Sequence, residues 1–517
     1  MDTKALRQKV LDLAIRGKLV PQDPNDEPAS VLLERIRQQK QQMVKEGKLK
    51  AKDIKNDTTI FVGEDNLHYE KFADGAVKCI EDEIPFELPD GWAWARLGAV
   101  AEAIGDGDHQ PPPQTSSGIP FLVISNVSGG TLSFENTRFV DAEYFSLLPE
   151  TRKPRNGDLL FTVTGSYGIP VLVDTDDKFC FQRHIAIVRP CIISNRYLYV
   201  VLGSSYVKSI CDAKATGTAQ KTVGLATLRE LLIPVAPYKE QMQIYAQTQN
   251  ALSIVDSVSS DKEDLLNIIA STKAKILDLA IRGQLVPQDP TDEPASVLLE
   301  RIRAGKEELI RQGKIKRDKK ESVIFRGEDN SYYCDIPDSW AFCSLKELFN
   351  VCSAKRVRQS DWQTTGVPFY RAREIVKLSD NGYVDNDLFI SKEHYMRVKK
   401  ECGVPESGDL MVSGVGTIGK VYVVKDDDRF YYKDASVLCF ENRSGAIDSQ
   451  FARYMLESEF MQIQMQDNSK GTTVDTITIS AAMEYMCVLP PLEEQKRIVA
   501  AIEKAFTHLS SISTALA

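Results

Sequence analysis

The chain has 517 residues, 43% hydrophobic and 26% charged, which is enough for several cores of ordinary domain size. No uninterrupted apolar run approaches the ~20 residues of a membrane helix, and the start, MDTKALRQKV, lacks the apolar core of a secretory signal, so a cytoplasmic location is expected. A formal charge of −9 by itself argues against a nucleic-acid partner, so the local distribution of charge has to decide.

In chain order, Lys4–Arg16 predicts a helix. An arm follows, LVPQDPNDEPASVLLERI from Leu19, in which the triplet Asp26–Pro28 has the composition of a helix start. The basic tail QQMVKEGKLKAK from Gln41 suits either a solvated helix face or a phosphate contact. From about Ile84 to Pro234, short apolar stretches such as IPFLVI, DLLFTVTG and IAIVRP, bounded by Gly and Pro, predict a mixed sheet with flanking helices. Between Pro237 and Arg282 there is no further proline, and apolar residues recur at helical intervals. Leu252, Val255, Leu266, Ile269, Ile276 and Ala280 approximate a coiled-coil seam, interrupted near Ser259 and Lys262 and ended by Gly283. One helix of some 45 residues would span roughly 65 to 70 Å, more than the ~34 Å of one DNA turn. A second arm starts at Leu285, with its own Asp292–Pro294 triplet and the basic tail GKEELIRQGKIKRDKK from Gly305. A second mixed-sheet region runs from Ile336 to Pro490, and a last helix passes through Ile498, Ile502, Phe506 and Leu509.

Compared with itself, the chain is a repeat. KVLDLAIRGKLVPQDPNDEPASVLLERIR from Lys9 returns 266 residues later as KILDLAIRGQLVPQDPTDEPASVLLERIR from Lys275, differing only at Val10/Ile276, Lys18/Gln284 and Asn25/Thr291. Weaker echoes keep the order: FVGEDN and FRGEDN, ELPDGW and IPDSW, GIPF and GVPF, GDLL and GDLM, ATGTAQKTV and SKGTTVDTI, PYKEQMQI and PLEEQKRI. The helix from Pro491 matches the first half of the central helix, and Lys4–Arg16 matches its second half. The repeat is thus circular, and the terminal helices are expected to lie together, antiparallel to the central one, with pseudo-two-fold symmetry. Helical connectors match while the heads diverge, as recognition of an asymmetric two-part target would require. The domains are set at 1–58 (helix and arm), 84–236 (first head), 237–333 (spacer helix and arm), 334–490 (second head) and 491–517 (last helix).

With its duplicated LDLAIRGxLVPQDPxDEPAS arms, its ELPDGW and IPDSW approaches, the GDGDHQPPP stretch and the paired PxxEQ exits, the chain resembles the specificity subunits of type I restriction-modification systems over essentially its whole length. The resemblance implies two α/β target recognition domains separated by long antiparallel coiled-coil helices. It implies that each domain reads one half of a bipartite duplex DNA site. The helices would set the spacing and dock two methyltransferase subunits, and restriction-translocase subunits would join for ATP-dependent cleavage. The chain itself would be non-catalytic and would direct adenine methylation by its partners. The other reading is a coiled-coil interaction protein with two ligand-binding heads.

Candidate DNA contacts follow from side-chain chemistry. In the second head, SAKRVRQSDWQTTGVPFYRAR holds Lys355, Arg356, Arg358, Arg371 and Arg373 against a lone Asp361, and arginine suits guanine edges or phosphate. In the first, GDGDHQPPPQ carries His109, Gln110 and Gln114, and glutamine suits adenine. Arg152, Lys153, Arg183 and His184 are further basic candidates. The late loops offer Thr218, Gln220 and Lys221, and Lys470, Thr472 and Thr473, where backbone can approach phosphate closely. GVGTIGKV from Gly414 imitates a nucleotide loop, but it leads into a strand-like run rather than a helix, which predicts a tight turn. The chain has no NPPY or DPPY segment and no metal-nuclease constellation. S-adenosylmethionine, ATP and Mg are therefore expected in partner subunits, and neither cofactor nor metal in this chain. The ten scattered cysteines lack CxxC spacing and read as free thiols.

Overall fold

The structure, a computed structural model, describes residues 2–108, 112–217, 220–313, 336–443, 445–467 and 475–516. The chain divides into two compact units, Met1–Asp261 and Lys262–Ala517. The division falls inside one unbroken helix of 44 residues, Tyr238–Ile281. Each unit therefore contains one head, one arm and one pair of helices.

In the first unit, helix Thr3–Ile15 runs antiparallel to the beginning of the long helix: Arg7 pairs with Asp256, and Thr3 Oγ1 lies 3.4 Å from Ser259 Oγ. In the second, helix Leu492–Leu516 runs antiparallel to the end of the long helix, where the Lys273 ammonium lies 3.4 Å from Ser510 Oγ and above the Phe506 ring. Leu252, Val255, Ile269 and Ala280 of the expected seam are buried, whereas Leu266 is 37% exposed.

Helix Thr3–Ile15 and the long helix stop in the same way. Gly17 and Gly283 have φ of +64° and +68°. The amides of Lys18 and Gln284 reach back to the carbonyls of Leu13 and Leu279, both at 2.9 Å, in a Schellman closure. A Cβ at either glycine would also lie 2.4 Å from a proline ring, Pro89 or Pro337, so both backbone angle and close approach demand glycine. The arm helices Ala29–Lys45 and Ala295–Arg311 start directly after Pro28 and Pro294. Their first amides donate to Gly91 O (2.8 Å) and Ser339 O (2.9 Å), on the segments that lead into the heads.

The heads have diverged in sequence but share their sheets. In the first, the incoming strand Ala93–Arg96 pairs antiparallel with the outgoing strand Leu232–Val235, and in the second Ala341–Ser344 pairs with Met486–Leu489. The main sheet of the first head orders Ala101–Asp106, Ile185–Pro190, Leu159–Thr162 and Pro170–Leu172, all antiparallel. That of the second orders Asn350–Ser353, Val437–Glu441, Leu410–Ser413 and Val421–Val423 in the same way. Each head adds a smaller mixed sheet, in which Ile119–Leu122 or Val367–Tyr370 pairs parallel to a two-residue strand, Cys180–Phe181 or Tyr431–Tyr432. The glycine turns at Gly165 and Gly416 join adjacent antiparallel strands as hairpin connections, and neither opens a helix. A three-stranded antiparallel sheet, Thr59–Val62, His68–Lys71 and Val77–Cys79, lies between the first arm and the first head, at residues outside the expected domains. Arg96 fastens it to the first head through Glu70 and Glu83, each at 2.7 Å.

Helix, arm and head meet at one buried carboxylate per unit. Glu240, 1% exposed, accepts from the Trp92 indole N–H (3.0 Å) and the Gln22 amide (3.1 Å). Glu494, also 1% exposed, accepts from Trp340 (2.9 Å) and Gln288 (2.6 Å). Burial raises both carboxyl pKa values, and the two donors only partly oppose it. The neighbouring Gln241 accepts from Ser194 N–H (3.0 Å) and donates to Ala236 O (2.8 Å), while Gln495 accepts from Asp448 N–H (2.8 Å) and donates to Pro490 O (3.0 Å). The Glu-Gln of each PxxEQ exit thus joins the head to the helix. Glu240→Ala would strand two buried donors and should lower urea stability of the first unit by roughly 2 to 4 kcal/mol, against under about 0.5 for the exposed Lys239→Ala. Equal midpoints for the two variants would refute the joint.

Candidate nucleic-acid interface

In the second head, the segment after strand Asn350–Ser353 is fixed by Val357, which is buried, and by the Lys355 amide, which donates to the Tyr431 hydroxyl (2.8 Å). Side chains alternate about Val357, so Arg356 and Arg358 project into solvent on either side. Neither guanidinium has an ion-pair partner among the described residues, whereas the Lys355 ammonium pairs with Glu401.

Arg371 and Arg373 sit where strand Val367–Tyr370 turns into helix Ala372–Asn381. Glu374, 2% exposed, accepts from the Arg371 backbone N–H (2.9 Å), from its guanidinium (3.1 and 3.0 Å) and from Arg373. Asp387, whose side chain is 70% exposed, accepts from Arg371 (2.8 Å) and Arg373 (2.7 and 2.8 Å). Burial works to raise the Glu374 pKa, but the arginine hydrogen bonds outweigh it and hold the carboxyl below its usual range. Arg373 likewise lowers that of Asp387. The patch therefore meets more acid than Asp361. Of its five cations, Arg356 and Arg358 have no ion-pair partner among the described residues and the other three are paired. The Glu374 partnership was visible as an acid three residues after Arg371, the spacing of a capping box. Asp387 is distant in sequence and gave no such signal.

In the first head, Arg152 pairs with Asp108 (3.0 Å), which also accepts from the Tyr144 hydroxyl. Lys153 donates to Ser146 O (3.0 Å), pairs with Glu150 (3.1 Å) and lies over the Phe145 ring. Arg183 is exposed with no ion-pair partner among the described residues, and its amide donates to Asp108 O (3.1 Å). Burial, aided by Arg183, lowers the pKa of the half-buried His184, so its imidazole is neutral at pH 7 and offers hydrogen bonds rather than charge. Gln114, Gln220 and Lys221 are exposed. The Lys221 carbonyl accepts from Gly165 N–H (3.1 Å), which sets the late loop against the glycine hairpin. In the second head Asp475 O receives Gly416 N–H (3.4 Å) in the same manner. His109, Gln110, Thr218, Lys470, Thr472 and Thr473 lie outside the described residues.

Residues 337–516 match the family described as type I restriction modification DNA specificity domain. Over 97% of its length the chain is 27% identical to the type I restriction enzyme EcoAI specificity subunit of Escherichia coli, covering 88% of that protein. It is 25% identical over 99% of its length to the EcoEI specificity subunit of the same organism, covering 90%. The chain is thus similar to type I restriction enzyme specificity subunits over nearly its whole length. A solved chain from a study of complex assembly and conformational transition in the type I R-M system shares the fold of this chain, with a TM-score of 0.55 and 18% identity over 84% of this chain and 94% of that one.

The two classes of arginine in the second head separate by stability. Arg371→Ala leaves buried Glu374 short of its main partner and should cost roughly 2 to 4 kcal/mol in urea unfolding, whereas Arg356→Ala should stay within about 0.5 kcal/mol of wild type. Equal losses would show that Arg356 also has a structural role.

Proposed function

We propose that the two heads each read one half of an asymmetric, bipartite duplex DNA site, with Arg356, Arg358, Arg183 and Lys221 among the contacting cations. The chain is the DNA sequence-recognition subunit of a type I restriction-modification complex and is itself non-catalytic. One observation carries the two-part reading. Arms and joints repeat almost unchanged, the head sheets repeat in topology, and the head surfaces differ. A shared frame with different surfaces suits two different half-sites.

Methylation and cleavage then belong to the partners, two methyltransferase subunits and the restriction-translocase subunits. In this reading S-adenosylmethionine, ATP and Mg are bound there, in the cytoplasm. Among the described residues no helix is long and apolar enough to cross a membrane.

Duplex affinity tests the reading. Each phosphate neutralised contributes about −0.9 to the slope of log affinity against log salt, so several contacts should give a steep fall. A flat slope would contradict DNA recognition. Replacing Arg356 and Arg358 together by alanine should weaken or relax recognition of one half-site only, and equal loss at both halves would contradict the modular arrangement.

A further inference from the structure

The Arg371–Arg373 cluster contains two cations and two anions, but the two anions are held very differently. Glu374 is buried, starts a helix and engages both arginines, so it belongs to the framework. Asp387 is largely exposed, and its hydrogen-bonded carboxylate contacts are those two guanidinium groups. Its oxygens lie at 2.7 to 2.8 Å from both forks, the position in which a pair of arginines receives a phosphate. Asp387 also borders an open recess of about 540 Å³, whose wall includes the exposed Gln363, Thr364 and Thr365. There is thus room on the open side of Asp387 for an incoming sugar-phosphate, and amide and hydroxyl groups to receive it.

We propose that Asp387 is a specificity-determining placeholder: its carboxylate occupies the anion position between Arg371 and Arg373 until a backbone phosphate of correctly docked DNA displaces it. This rests on the reading of the second head as a DNA reader. Exposed ion pairs are weak, so Asp387 can be released at little cost once the duplex is in register. Before release the cluster is neutral overall and offers a passing polyanion no net attraction. The cluster is thereby silent toward non-target DNA, where a free arginine pair would bind it indiscriminately.

The test compares full-length wild type, Asp387→Asn and Asp385→Asn on a mixed-sequence duplex across a salt series. Asp385 is an exposed acid of the same loop and carries the same change in total charge. Asp387→Asn should steepen the log–log salt slope by about 0.9 and bind about eightfold tighter than wild type at 0.1 M salt, converging with it near 1 M. Its preference for target over mixed sequence should fall. Adding Arg373→Ala to Asp387→Asn should remove the gain. Asp385→Asn should match wild type. An Asp387→Asn slope equal to wild type, or an equal gain from Asp385→Asn, would overturn the placeholder. A wild-type chain whose duplex affinity ignored salt would instead overturn the DNA reading on which it rests.

Discussion

The structure of each unit depends on a carboxylate placed where carboxylates are costly. Glu240 and Glu494 lie at the first turn of their helices, almost wholly out of water, each held by an indole N–H and a glutamine amide. The indole comes from the segment that enters the head, the amide from the arm, and the acid from the helix that leaves. Three parts of the chain, far apart in sequence, are thereby fixed at one point. The adjoining Gln241 and Gln495 extend the joint to the start of a head helix. Small changes there would leave buried donors unmatched, which accounts physically for the recurrence of the same glutamine, tryptophan and Glu-Gln pair in both units. The heads are closed by a pair of strands above this joint, so their outer loops can change without disturbing it.

An acidic chain can serve as a DNA reader because charge is distributed, and because much of its positive charge is already in use. Arg96, Arg152, Lys153 and Arg371 hold strands, turns and helix starts in place, each against a nearby acid or carbonyl. The candidate arginines left without ion-pair partners among the described residues, Arg183 in one head and Arg356 and Arg358 in the other, lie on connecting segments that a core residue anchors only a position or two away. Such segments combine a fixed backbone with a free guanidinium, the combination that sequence reading in a groove requires.

Much of the frame was legible in the sequence. The long helix, its glycine stop, the arm helices after Pro28 and Pro294 and the circular order of the repeat all follow from periodicity, capping chemistry and self-comparison. The hairpin nature of the glycine-rich GVGTIG segment was likewise legible from the strand-like run behind it. The topology shared by the heads was not, because strands of two to six residues carry little periodic signal and their partners lie far away in the chain. The sheet at 59–79 escaped for a similar reason: its strands are short, and Phe61, Val62 and Val77 on it are exposed rather than alternating cleanly. Basic density in Ser353–Arg373 overstated the free charge, since Asp387 and Glu401 reach it only through tertiary structure.

The central claim is an asymmetric two-part reader on a repeated frame, and genome-wide mapping of methylated adenines in cells with and without this chain tests it most directly. The account predicts one methylated motif that depends on the chain, made of two unlike half-sites separated by a fixed run of unspecified bases. A contiguous motif, two identical half-sites, or an unchanged methylation map would contradict it.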